Sequence, residues 1–112
     1  MSMEITNRFE NDVLVLGLDG RFDAHAAPQV EETFTTLFSQ GATKVVVDFS
    51  AVGYLSSAGL RVLLVMIRKL KSAQGAIVLA GLQPHVKEVF DISGFTDLFT
   101  IEGSVQEALA AI

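Results

Sequence analysis

The chain has 112 residues, enough to bury one core and too few for two. Half of them are hydrophobic, which excludes a disordered regulator, and a net charge of −5 without any basic run argues against a protein that lives on nucleic-acid phosphates or an anionic membrane surface. With no cysteine there is neither a disulfide framework nor a thiolate metal site, so a cytoplasmic location is the simplest expectation.

The opening MSMEITNRFEND carries acids where a secretory signal would need a basic start and an apolar stretch. Met3, Ile5, Asn7 and Phe9 alternate, VLVLGL follows over 13–18, and Glu10-Asn11-Asp12 between them is turn chemistry, so a β-hairpin is predicted. Gly20 to His25 reads as a loop leading to Pro28, which suits the first turn of a helix. Val30, Phe34, Leu37 and Phe38 then recur at helical spacing, and the helix should end near Gln40-Gly41.

Val45-Val46-Val47 is continuously apolar, as in a central strand covered on both faces. The next helix is expected from about Ser57 to Ala73, stopping at Gly75, with Gly59, Leu63, Met66 and Leu70 inward and Arg61, Val65, Arg68 and Ser72 outward. Its apolar run Val62–Ile67 is closed by Arg68-Lys69-Leu70-Lys71, far short of the roughly 18 residues a membrane span needs, so no direct membrane insertion is expected. Ala76–Ala80 is a second apolar strand, followed by a short helix carrying Val86, Val89, Phe90 and Ile92 to Gly94. Phe99–Ile101 suits an edge strand, and Ser104-Val105-Gln106-Glu107 is a capping box for a last helix that buries Val105, Ala108, Leu109 and Ile112. There is no repeat or linker, so residues 1–112 are expected to form one α/β domain with a mixed sheet of four to five strands and about four helices.

Catalytic chemistry finds little support. His25 and His85 are the only histidines, and neither has a second ligand at metal-binding spacing, so no metal site is expected. No phosphate-cradling glycine loop is present, so no nucleotide cofactor is implied. Asp19, Asp23 and Asp48 could converge at one end of the sheet, but capping turns and strand ends is the commoner work of aspartate. Hydrolysis using Asp23 and Asp48 would lack a nucleophile, a base and an anion-binding loop acting together.

The stretch DFSAVGYLSSAGLR, Asp48 to Arg61, joins the central strand to its helix through a serine pair. Either Ser56 or Ser57 could serve as an N-cap, a contribution of about 1 kcal/mol. A cap uses one serine, and the second hydroxyl is followed by Ala58 and Gly59, small residues that would let another protein approach. A phosphoryl group at a helix start adds a charge of about −1.5 to −2 that the helix dipole tolerates and a packed interface does not. No histidine lies nearby to activate Ser57 as a nucleophile.

The stretch D-F-S-x-V-x-Y-L-S-S-A-G-L resembles the signature of the STAS domain, and in particular the single-domain anti-sigma factor antagonists of bacterial partner switching. Gly20-Arg21-Phe22-Asp23 resembles the family's segment after the second strand, and Pro84 to Gly94 its third-helix segment. The resemblance implies four helices on a mixed sheet, and a cycle in which an anti-sigma factor serine kinase binds the unphosphorylated protein, phosphorylates it and lets it go. A PP2C-type phosphatase would restore it. It implies Ser57 as acceptor, with Ser56 as the alternative, and Asp23, Ser56, Ser57, Ala58, Gly59, Arg61 and Val65 in or around the partner surface. Many members carry aspartate where this chain has Ser56. Other outputs are compatible with the same resemblance: control of secretion, biofilm formation or a signalling enzyme, or a small subunit of a lipid transporter.

Overall fold

The computed structural model describes residues 3–112; Met1 and Ser2, included in the expected domain, lie outside the described residues. The elements in order are β1 (Glu4–Glu10), β2 (Val13–Phe22), α1 (Ala27–Ser39), β3 (Lys44–Leu55), α2 (Ser57–Ser72), β4 (Ala76–Ala80), α3 (Pro84–Ser93), β5 (Thr100–Glu102) and α4 (Val105–Ala111). They form one five-stranded mixed sheet ordered β1-β2-β3-β4-β5, with β1 antiparallel to β2 and every other pairing parallel. The β-hairpin, the central place of β3 and the short edge strand are therefore as the sequence pattern predicts.

Strand alternation sorts the core onto two faces. Leu14, Leu16, Leu18, Val45, Val47, Ile77 and Leu79 join Phe22, Val30, Phe34, Leu63, Met66, Leu70, Val86 and Phe90 in the large cluster beneath α1, α2 and α3. Val13, Val15, Val46, Val78 and Ala80 face the other way and are covered by α4 through Ala108. Of the residues expected to be buried by α4, only Ala108 is fully so; Val105, Leu109 and Ile112 are partly buried around it. The capping box forms, with the Ser104 hydroxyl accepting from the Glu107 N–H at 3.1 Å.

Two apolar residues stand in solvent, and one local expectation is corrected. Ile92 is 80% exposed, because α3 buries a single stripe through Val86 and Phe90 and Ile92 falls off it. Phe9 is 54% exposed at the end of the edge strand β1, although it continues the alternation of Met3 and Ile5. The segment from Gly20, read as a loop, belongs to β2 as far as Phe22. Two register shifts, between Gly17 and Asp19 and between Gly20 and Arg21, let the strand continue, and Gly20 takes φ 126°, which glycine adopts without strain. Its partner is the second half of β3, which likewise stays extended to Leu55 through the weakly strand-forming Ser50-Ala51-Val52-Gly53.

Candidate functional site: the junction between β3 and α2

β2 and β3 end side by side, with Arg21 opposite Tyr54 and Phe22 opposite Leu55. The chain then turns into α2 at Ser56, whose backbone is extended (φ −88°, ψ 170°). Its N–H donates to the Phe22 carbonyl at 2.9 Å, its hydroxyl donates to the same carbonyl at 3.1 Å, and that hydroxyl accepts from the Gly59 N–H at 3.1 Å. Ser56 is thus the N-cap, and its side chain is committed to holding the junction together.

Ser57 is the first residue of α2, is exposed, and makes no side-chain hydrogen bond among the described residues. The free N–H groups of a helix start and the positive end of its dipole surround that position. Of the two hydroxyls left open by the sequence, one is occupied by the fold and the other is not.

The remaining site residues separate by depth. Gly59 is buried, and a Cβ there would lie 2.8 Å from Leu55 Cδ1, Phe22 Cδ1 and the Phe22 carbonyl oxygen. Its small size therefore brings α2 down onto the strand ends. Ala58 and Val65 are partly buried and Arg61 is exposed; all three line a groove of about 370 Å³ between α1 and α2, with Ala24, Pro28 and Glu31 opposite. Val65 thus shares the lining of one groove with Val62 and Pro28 and is not an isolated apolar residue.

Asp23 sits in the turn that leads into α1. Its Oδ1 accepts from the N–H groups of Ala26 at 3.0 Å and His25 at 3.1 Å. The Ala26 hydrogen bond is the main reason its carboxyl titrates below the ordinary aspartate range; burial opposes it, and His25 and the Arg21 guanidinium assist. Arg21 lies 3.9 Å from Asp23 Oδ2 and 4.1 Å above the centre of the Tyr54 ring. Nothing in the linear motif pairs Arg21 with Tyr54; only the strand register does. Asp48 accepts from the Ser50 N–H at 3.0 Å, so it turns a strand bend as aspartate usually does. Among the described residues no three His, Cys, Asp or Glu side chains are placed to hold a metal ion, and no helix is long and apolar enough to cross a membrane.

A mixed five-stranded sheet backed by four helices, with an exposed hydroxyl at the mouth of a helix and a groove beside it, defines a small α/β domain. The STAS domain family matches residues 4–108, and the chain belongs to that family. BtrV of Bordetella bronchiseptica, provisionally named an anti-sigma factor antagonist, is 38% identical over 109 residues, covering 97% of this chain and 94% of its own. The anti-sigma-B factor antagonist of Bacillus subtilis is 33% identical over 101 residues, covering 87% of this chain and 91% of its own. Among solved structures, the anti-sigma factor antagonist SpoIIAA in its unphosphorylated form has a TM-score of 0.83 at 26% identity, covering 95% of this chain and 93% of its own. The phosphorylated form of SpoIIAA shares the fold, with a TM-score of 0.77 at 24% identity over 96% of this chain and 98% of its own.

Proposed function

We propose that this protein is an anti-sigma factor antagonist switched by phosphorylation of Ser57. Unphosphorylated, it holds an anti-sigma factor serine kinase through the β3–α2 junction, Asp23 and the groove that Ala58, Arg61 and Val65 line. The kinase transfers the γ-phosphoryl group of ATP to the Ser57 hydroxyl, whose proton is lost. ADP leaves, and the new charge drives the partners apart. A PP2C-type phosphatase returns the serine by hydrolysis. The protein supplies no catalytic group of its own and works in the cytoplasm, where ATP and the kinase are found.

The observation that carries this reading is the division of labour between the two serines: Ser56 is tied to Phe22 and Gly59, whereas Ser57 is exposed and makes no side-chain hydrogen bond among the described residues. Charge placed on Ser57 meets the favourable end of α2 and disturbs no packing, so the fold tolerates it while an apposed surface does not. That SpoIIAA has the same fold in both forms is in keeping with this.

The test is capture of the kinase on immobilised wild-type, Ser57→Ala and Ser57→Asp protein in the presence of ATP. Ser57→Ala should retain the kinase and Ser57→Asp should not. Equal retention by all three would refute the switch.

A further inference from the structure

The strand that delivers Ser57 is supported unevenly. From Lys44 to Asp48, β3 lies between β2 and β4, but beyond Asp48 only β2 remains, pairing Asp19 with Ala51 and Phe22 with Leu55. Among the described residues, the far edge of this second half therefore has no strand to satisfy its carbonyls. Two side chains from the start of α3 take that place. Gln83 Nε2 donates to the Ser50 carbonyl at 3.2 Å, and His85 Nε2 stands 2.6 Å from the Gly53 carbonyl oxygen. A carbonyl oxygen only accepts, so His85 Nε2 carries the proton.

The junction is thus fastened from both sides. Phe22 holds Ser56 from the β2 edge, and His85 holds Gly53, three residues earlier, from the open edge. We propose that His85 is a positioning residue for Ser57: by fixing the unsupported end of β3 it sets where the Ser57 hydroxyl stands when a kinase engages it. The role in phosphoryl transfer rests on Ser57 being the acceptor; the fastening itself does not.

The test compares wild type with His85→Ala, which removes the donor, and His85→Gln, whose side-chain amide reaches about as far as imidazole Nε2 and keeps it. Amide hydrogen exchange is followed on the free protein in peptides spanning residues 50–60. Phosphorylation by an anti-sigma factor serine kinase with ATP is followed as separate kcat and KM. In His85→Ala the 50–60 peptides should exchange about three- to tenfold faster, as loss of one net hydrogen bond implies, with residues 45–47 unchanged. kcat should fall by a similar factor with KM little altered, and His85→Gln should restore both. Unchanged exchange at 50–60 in His85→Ala overturns the fastening. Faster exchange with unchanged kcat, or no recovery in His85→Gln, overturns the positioning role. Faster exchange with wild-type phosphate found elsewhere than Ser57 overturns both the acceptor reading and the positioning role, and leaves the fastening standing alone.

Discussion

Exchanging each serine of the junction for alanine should have unequal effects on stability. Ser56→Ala removes the acceptor for the Gly59 N–H and a second donor to the Phe22 carbonyl. That carbonyl keeps the Ser56 N–H at 2.9 Å, so the loss is essentially that of a helix cap, about 1 kcal/mol in a range of 0.5–2. The Gly59 N–H is left unpaired beside a buried residue, which moves the expectation to about 1.5 kcal/mol. An unfolding entropy of about 2.1 cal/mol/K per residue over 112 residues converts this to a fall in Tm of about 6 °C. Ser57→Ala loses no side-chain hydrogen bond among the described residues, and alanine is the better helix former, so its change should stay within about 0.5 kcal/mol, or 2 °C. Thermal unfolding of the two variants by calorimetry measures both. Equal losses, or a larger loss for Ser57→Ala, would mean that the hydroxyls are not divided as described.

Gly59→Ala should be destabilising by up to about 2 kcal/mol, since crowding against Phe22 and Leu55 at 2.8 Å costs about 1–3 kcal/mol and helix propensity returns about 1; a raised urea midpoint would contradict the close approach. Phe90 is fully buried and meets Phe99 edge-on at 5.7 Å, so Phe90→Ala should lose about 3–5 kcal/mol in urea denaturation, and a loss below 1 would place α3 outside the core. The folded-state pKa of Asp23 is lowered from 3.8, first by the Ala26 hydrogen bond. Its contribution is therefore complete above 3.8 and lost as pH falls through the lower folded value. The difference in urea midpoint between wild type and Asp23→Ala should shrink between pH 5 and the acid limit of folding; a constant difference would show that the charged carboxylate is not what the turn uses.

The period of the apolar residues made most of the fold legible. The continuous Val45-Val46-Val47 marked the centre of the sheet, and the helical spacing through Leu63, Met66 and Leu70 gave α2 nearly to the residue. Local chemistry misled where pairing overrode it. Gly20 and Gly53 look like loop residues, yet the two strand ends stay extended because each supplies the other's hydrogen bonds. Ile92 is apolar, but its angular position on α3 leaves it in solvent. At the junction, the motif pointed to Ser57 with Ser56 as the alternative, but not to what occupies the Ser56 hydroxyl, since both serines satisfy the preferences of a cap. That depended on the Phe22 carbonyl, 34 residues away in the chain. The fastening by His85 was equally hidden, because it follows from β4 ending before β3 does.

Assignment of the phosphate after incubation with an anti-sigma factor serine kinase and ATP, by tandem mass spectrometry of the peptide holding both serines, bears most directly on the proposed switch. The expected result is one phosphate, on Ser57, with Ser56 unmodified and no incorporation in Ser57→Ala. Phosphate on Ser56, or persistent incorporation in Ser57→Ala, would contradict it.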